Sequence, residues 1–61
     1  MNNVSLKTEI VTVGHQHLRV NCKGTLTGED ADHYFVDFNG ETVAFRKDEA
    51  DDDIVIEKET L

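Results

Sequence analysis

Apolar and polar residues alternate with a period of two through most of this chain, which is the pattern of strands with one buried face. The clearest stretch runs His33-Tyr-Phe-Val-Asp-Phe-Asn-Gly-Glu-Thr-Val-Ala-Phe-Arg-Lys47. Two runs rich in β-branched and aromatic residues flank Asn39-Gly40, a dipeptide that accepts positive φ at both central positions of a type I′ turn. A two-residue loop there sets Phe38 opposite Glu41, Asp37 opposite Thr42, Val36 opposite Val43, Phe35 opposite Ala44 and Tyr34 opposite Phe45. Tyr34, Val36, Phe38, Val43 and Phe45 then share the core face. His33, Phe35, Asp37, Thr42, Ala44 and Arg46 share the other, where Phe35 and Ala44 form an apolar island. All four aromatic residues of the chain lie in this hairpin, so it supplies most of the large apolar surface for a core.

Either side of the hairpin the same period predicts further strands. Val4 to Val13 reads as the first, with Val4, Leu6 and Ile10 on one parity and Val11 and Val13 on the other, so either its end is apolar on both faces or a bulge shifts the register around Ile10. Gly14-His15-Gln16 reads as a turn. His17 to Thr27 is the longest alternating run, with Leu18, Val20, Cys22 and Leu26 inward. Gly24 falls on that inward parity, where a missing side chain lets a strand bend. Gly28 to Asp32 reads as a polar loop. Asp48 to Asp53 suits a single helical turn capped by Asp48, and Asp53 to Glu59 reads as a last strand with Ile54 and Ile56 inward.

Five short strands, a bent second strand and a helical turn before the last predict one all-β domain over residues 1–61. The expected architecture is a small antiparallel five-stranded barrel, SH3-like, with an OB-like barrel or an open meander as alternatives. Gly24-Thr-Leu26-Thr-Gly28-Glu-Asp30 resembles the second strand and following turn of Sm-like proteins, which implies barrel geometry. The RNA-reading asparagine of that family is absent near Tyr34, its Arg-Gly pair is replaced by the acidic turn, and its N-terminal helix is missing. The resemblance therefore implies a shape and not RNA binding.

A chain of 61 residues buries only about 60% of its unfolded surface, so a supplement to its core is expected. One cysteine, Cys22, excludes an internal disulfide and suits a reducing compartment. Oligomerisation is the expected supplement. No apolar run reads as a signal peptide or membrane span, so a cytoplasmic location is expected.

Charge changes the picture most. The net charge of −7 divides into +2 over residues 1–27 and −9 over residues 28–61. Such a field repels membranes and phosphate backbones and attracts basic partners. The expected function is a non-enzymatic module that docks on a basic protein surface through Glu29, Asp30, Asp32, Asp48, Glu49, Asp51, Asp52 and Asp53, with Phe35 or Val55 as apolar anchor. A sharper form is a phage-like inhibitor that mimics nucleic acid. The alternatives are weak nucleic-acid binding through Lys7, Arg19 and Lys23, or a purely homo-oligomeric structural role.

Other chemistry finds little footing. His15, His17 and Cys22 are the only soft ligands grouped together, but the parity of Cys22 opposes that of His17. The acidic turn lacks the glycine and spacing of an EF-hand loop. No nucleophile stands near a base, and a barrel this small is expected to lack the roughly 300 Å³ of concavity a ligand pocket uses. No catalytic residue, metal or cofactor is expected.

Overall fold

The structure, a computed structural model, describes residues 2–57. Strand accounts for 57% of these residues, with one short helix. In order the elements are β1 (Asn2–Leu6), β2 (Ile10–Val11), β3 (His17–Leu18), β4 (Lys23–Glu29), β5 (His33–Phe38), β6 (Glu41–Arg46), α1 (Lys47–Asp53) and β7 (Ile54–Glu57). Five strands make one antiparallel sheet in the order β6-β5-β4-β1-β7, and β2 and β3 form a separate two-stranded ribbon. Among the described residues β6 and β7 stand at opposite margins and do not pair, so the sheet is not closed into a barrel.

The hairpin forms in the register its turn dictates, from Phe38 opposite Glu41 to His33 opposite Arg46. Asn39 and Gly40 take φ of 54° and 89°, the left-handed pair a type I′ turn requires. Val36 and Phe38 are fully buried, and Phe45 meets Phe38 edge to face with centroids 6.2 Å apart. Val4, Leu6, Leu18, Ala50 and Ile54 complete the core, with Tyr34, Val43, Leu26, Cys22 and Ile56 packed half-buried around it.

Gly24 is held by packing. A Cβ at this position would lie 2.6 Å from the Phe38 ring and 2.8 Å from the Asp37 carbonyl oxygen. The missing side chain lets the ring of β5 rest on the backbone of β4, one strand away in the sheet.

Three expectations are corrected. The run from Val4 to Val13 is broken at Lys7–Glu9, so its far end joins the ribbon and Val13 is left 96% exposed. The run from His17 to Thr27 is broken at Val20-Asn21, where Asn21 takes a φ of 72°, and Val20 is exposed. Alternation continued across both breaks by coincidence of parity, and no glycine or proline marked either. The acidic turn is a helix of seven residues whose N-cap is Arg46, so Asp48 lies inside its first turn and does not cap it. The last strand is Ile54–Glu57, with Ile54 buried and Val55 outward; Lys58 and Glu59 lie outside the described residues.

Candidate functional site

The acidic residues singled out from the sequence sit on two segments, the β4–β5 connection and α1. A bulge in β4 prepares the first. The register passes from Leu26 opposite Val36 to Gly28 opposite Phe35, leaving Thr27 as the extra residue, with its hydroxyl donating to the Phe35 carbonyl at 3.2 Å. The bulge exchanges the faces of all that follows, and Glu29 comes to stand opposite Tyr34. Alternation alone would have sent Glu29 to the other face.

Beyond the bulge Asp30 organises the connection. Its Oδ1 accepts from the amides of Asp32 at 2.8 Å and His33 at 2.7 Å, an aspartate turn of the usual kind. The Asp32 amide above all, helped by the His33 amide and imidazole, holds the Asp30 carboxyl below the ordinary carboxylate range.

Lys47 ties the connection to α1. Its amide donates to the Asp32 carbonyl at 2.8 Å, its ammonium meets Glu29 Oε2 at 2.6 Å, and the same ammonium lies 5.1 Å from the centre of the Tyr34 ring. The hydrogen bond to Glu29 pushes the Lys47 pKa up. Acids about twenty residues apart in the chain thereby share one surface. A solvent-open trough of about 600 Å³ runs between them, lined by Ala31, Asp32, His33, Arg46, Lys47 and Asp48.

α1 places one side chain in the core, Ala50, and turns Asp48, Glu49, Asp51 and Asp52 to solvent. Asp48 and Glu49 suit the positive end of the helix, but the acids of its last turn do not. Lys7 offsets this from outside. Its ammonium donates to the Asp51 carbonyl at 2.6 Å and its amide to the Asp53 carbonyl at 2.8 Å, covering the exposed carbonyl end.

Several of the acids are already paired: Glu29 with Lys47, Asp30 with His33 at 3.4 Å, and Asp48 with Arg46 at 3.1 Å. Among the described residues Asp32, Glu49, Asp51, Asp52 and Asp53 form no ion pair, and they carry the outward field of this end. Phe35 is half-buried on the far side of β5, stacked on His33 with centroids 6.4 Å apart. Val55, 42% exposed, lies in a second trough of about 310 Å³ with Lys7, Tyr34, Ala50, Asp51, Ile54 and Ile56. The expectation of no concavity is thus corrected, although these hollows open widely to solvent.

The three cations of the alternative reading have separate partners. Lys7 is committed to α1, Lys23 pairs with Glu57 at 3.3 Å, and Arg19 lines a third trough of about 480 Å³ beside the ribbon. His15 takes a φ of 65° in the ribbon turn, His17 is exposed in β3, and Cys22 is a half-buried free thiol packed against the core. Among the described residues no group of three or more His, Cys, Asp or Glu is arranged to hold a metal ion, and no helix is long and apolar enough to cross a membrane.

Sequence reasoning passed over Glu41. Its Oε1 accepts from the Thr12 hydroxyl at 2.7 Å and the Gln16 side-chain amide at 2.8 Å, and its Oε2 from the Gly14 amide at 2.9 Å. The Thr12 hydroxyl, then the Gly14 amide and Gln16, hold this carboxyl below its ordinary range. A signal was available: Glu41 sits opposite Phe38, so an acid stands on the inward parity beside the turn. Compared with known protein families, curated proteins and solved structures, the chain matches none.

Proposed function

We propose that this protein is a small acidic, non-enzymatic binding module that docks on a basic surface of a protein partner. The observation that supports this is the junction of the β4–β5 connection with α1 through Lys47, which sets Asp32 beside Asp48 and next to the outward acids of the helix. Exposed carboxylates on a short, tied-down scaffold speed encounter with a basic surface and select for it. Val55 and Tyr34, in the trough beside Asp51, are the apolar groups best placed to add affinity. Phe35, on the far side of β5, is less well placed.

The architecture that goes with this reading is a small SH3-like fold whose sheet stays open between β6 and β7. Its support is the strand order, in which the first and last long strands are neighbours and one ribbon folds outside the sheet. In its sharper form the module acts in the cytoplasm as a nucleic-acid mimic, occupying the phosphate-binding site of its target.

The test is capture from a cell extract on the immobilised protein, eluted by a rising salt gradient. The variant Glu49→Gln/Asp51→Asn/Asp52→Asn is run beside it. A basic protein held at low salt, released early in the gradient and lost with the triple variant supports the reading. Retention of the same proteins at the same salt by the triple variant overturns it. The mimic form further requires that nucleic acid displace the module from what it captured.

A further inference from the structure

We infer that β6 is a pairing edge for a second copy of this chain, joined antiparallel about a two-fold axis at Ala44. β6 stands at one margin of the open sheet over its full length of six residues. In this hairpin Phe38 and Glu41 flank the two-residue turn as a hydrogen-bonded pair. Glu41, Val43 and Phe45 therefore turn their main-chain groups toward β5, and Thr42 and Ala44 turn theirs away from the sheet. The amide of Arg46 points the same way, while its carbonyl begins α1.

The edge carries few of the features that keep such margins apart. β6 has no proline and no lysine, and its register with β5 runs unbroken. Its outward side chains before Arg46 are small, Thr42 and Ala44. The apolar island of the outer face also ends here, because Ala44 lies directly opposite half-buried Phe35.

Pairing centred on Ala44 is the symmetric register that uses all of these groups. The two Ala44 residues exchange both main-chain hydrogen bonds, and each Arg46 amide reaches the Thr42 carbonyl of the second copy. Phe35 and Ala44 of one copy then continue into Ala44 and Phe35 of the other, one apolar stripe across a doubled sheet. On the inner face Val43, half-buried at the margin, meets Phe45 of the second copy. No like charges meet, since Arg46 faces Thr42 and Glu41 faces Lys47. This margin also bears Arg46 and Lys47, two of the few cations of the acidic half. Each is paired within its own chain, Arg46 with Asp48 and Lys47 with Glu29, so acidic charge is offset locally beside this edge. An edge contact of this kind is small and therefore weak.

Sedimentation equilibrium tests this from about 10 μM to about 1 mM, the range in which mass action populates a weak dimer. The mass is expected to rise from 6.9 kDa toward twice that value. Added salt is expected to strengthen association, because it screens the repulsion between acidic copies. Ala44→Glu sets two carboxylates against each other at the axis and is expected to hold the single-chain mass throughout. Hydrogen exchange on the unaltered chain needs no variant: the Ala44 and Arg46 amides should slow as concentration rises. A single 6.9 kDa species at every concentration overturns the inference. So does association of Ala44→Glu equal to that of the parent, or concentration-dependent protection confined to β7.

Discussion

The β5–β6 hairpin and the β2–β3 ribbon are both two-stranded antiparallel units, yet they are held by different means. The hairpin carries its own turn in Asn39-Gly40 and its own core in Val36, Phe38 and Phe45. The ribbon has two residues in each strand, and both valines of Val11-Thr12-Val13 are exposed. Its turn closes on local bonds, from the Thr12 amide to the Gln16 carbonyl and the His15 amide to the Thr12 carbonyl, and one carboxylate of the hairpin, Glu41, ties Thr12, Gly14 and Gln16 to the sheet. A unit with local turn chemistry and apolar alternation specifies itself. A unit with two-residue strands and exposed valines needs, beyond its own turn bonds, an anchor elsewhere in the chain.

The largest break in this contrast comes from the hairpin core. Phe38→Ala is expected to cost about 3–5 kcal/mol, the usual range for truncating a buried phenylalanine. That is comparable to the roughly 3–5 kcal/mol a domain this small draws from its core, so the cooperative thermal transition should vanish. Calorimetry or circular dichroism checks it.

Next comes Gly24→Ala, which forces a Cβ into the Phe38 ring and the Asp37 carbonyl. Overpacking of this sort costs about 1–3 kcal/mol. Combining it with Phe38→Leu should return part of the loss contributed by the ring clash. Two penalties that simply add in denaturant titrations would count against the contact.

Gly40→Ala is expected to cost about 1–2 kcal/mol, the penalty for a side chain in a left-handed conformation. It should lower the urea midpoint without changing the slope, because the native sheet keeps its surface.

The mildest change sharpens the contrast most. Glu41→Gln places an amide NH₂ where one oxygen accepts from Gly14. Hydrogen exchange should quicken at Gly14 and Gln16 while β5 and β6 keep their protection. The pH dependence has a definite sign. A carboxyl whose folded pKa lies below its unfolded value contributes stability that is fully present above the unfolded pKa, near 4.5, and that is lost as pH falls through the folded value. Ribbon protection should follow that course in the parent, and Glu41→Gln should remove Glu41's part of it.

The candidate site divides along similar lines. That Asp48 to Asp53 would be acidic and helical before a strand was legible, because composition and the following Ile-Val-Ile require only neighbours in the chain. That Asp32 would lie beside Asp48 was not. It rests on Thr27 bulging out of β4 and on Lys47 reaching Glu29, Tyr34 and the Asp32 carbonyl together. Strand parity groups Arg19 and Lys23 on one outward face, with Lys7 expected beside them. The fold spends it on the carbonyl end of α1.

By itself the sequence determined the hairpin, its register and its buried rings, since a turn dipeptide and a period of two act over a few residues. It also determined where the negative charge would gather. Only the tertiary structure decided the strand order, the two breaks in apparently continuous strands, and the joining of two acidic segments into one surface. Those outcomes depend on contacts between residues far apart in the chain. Alternation is blind to such contacts, because a bulge can reverse parity and a break can preserve it without leaving a mark in the pattern.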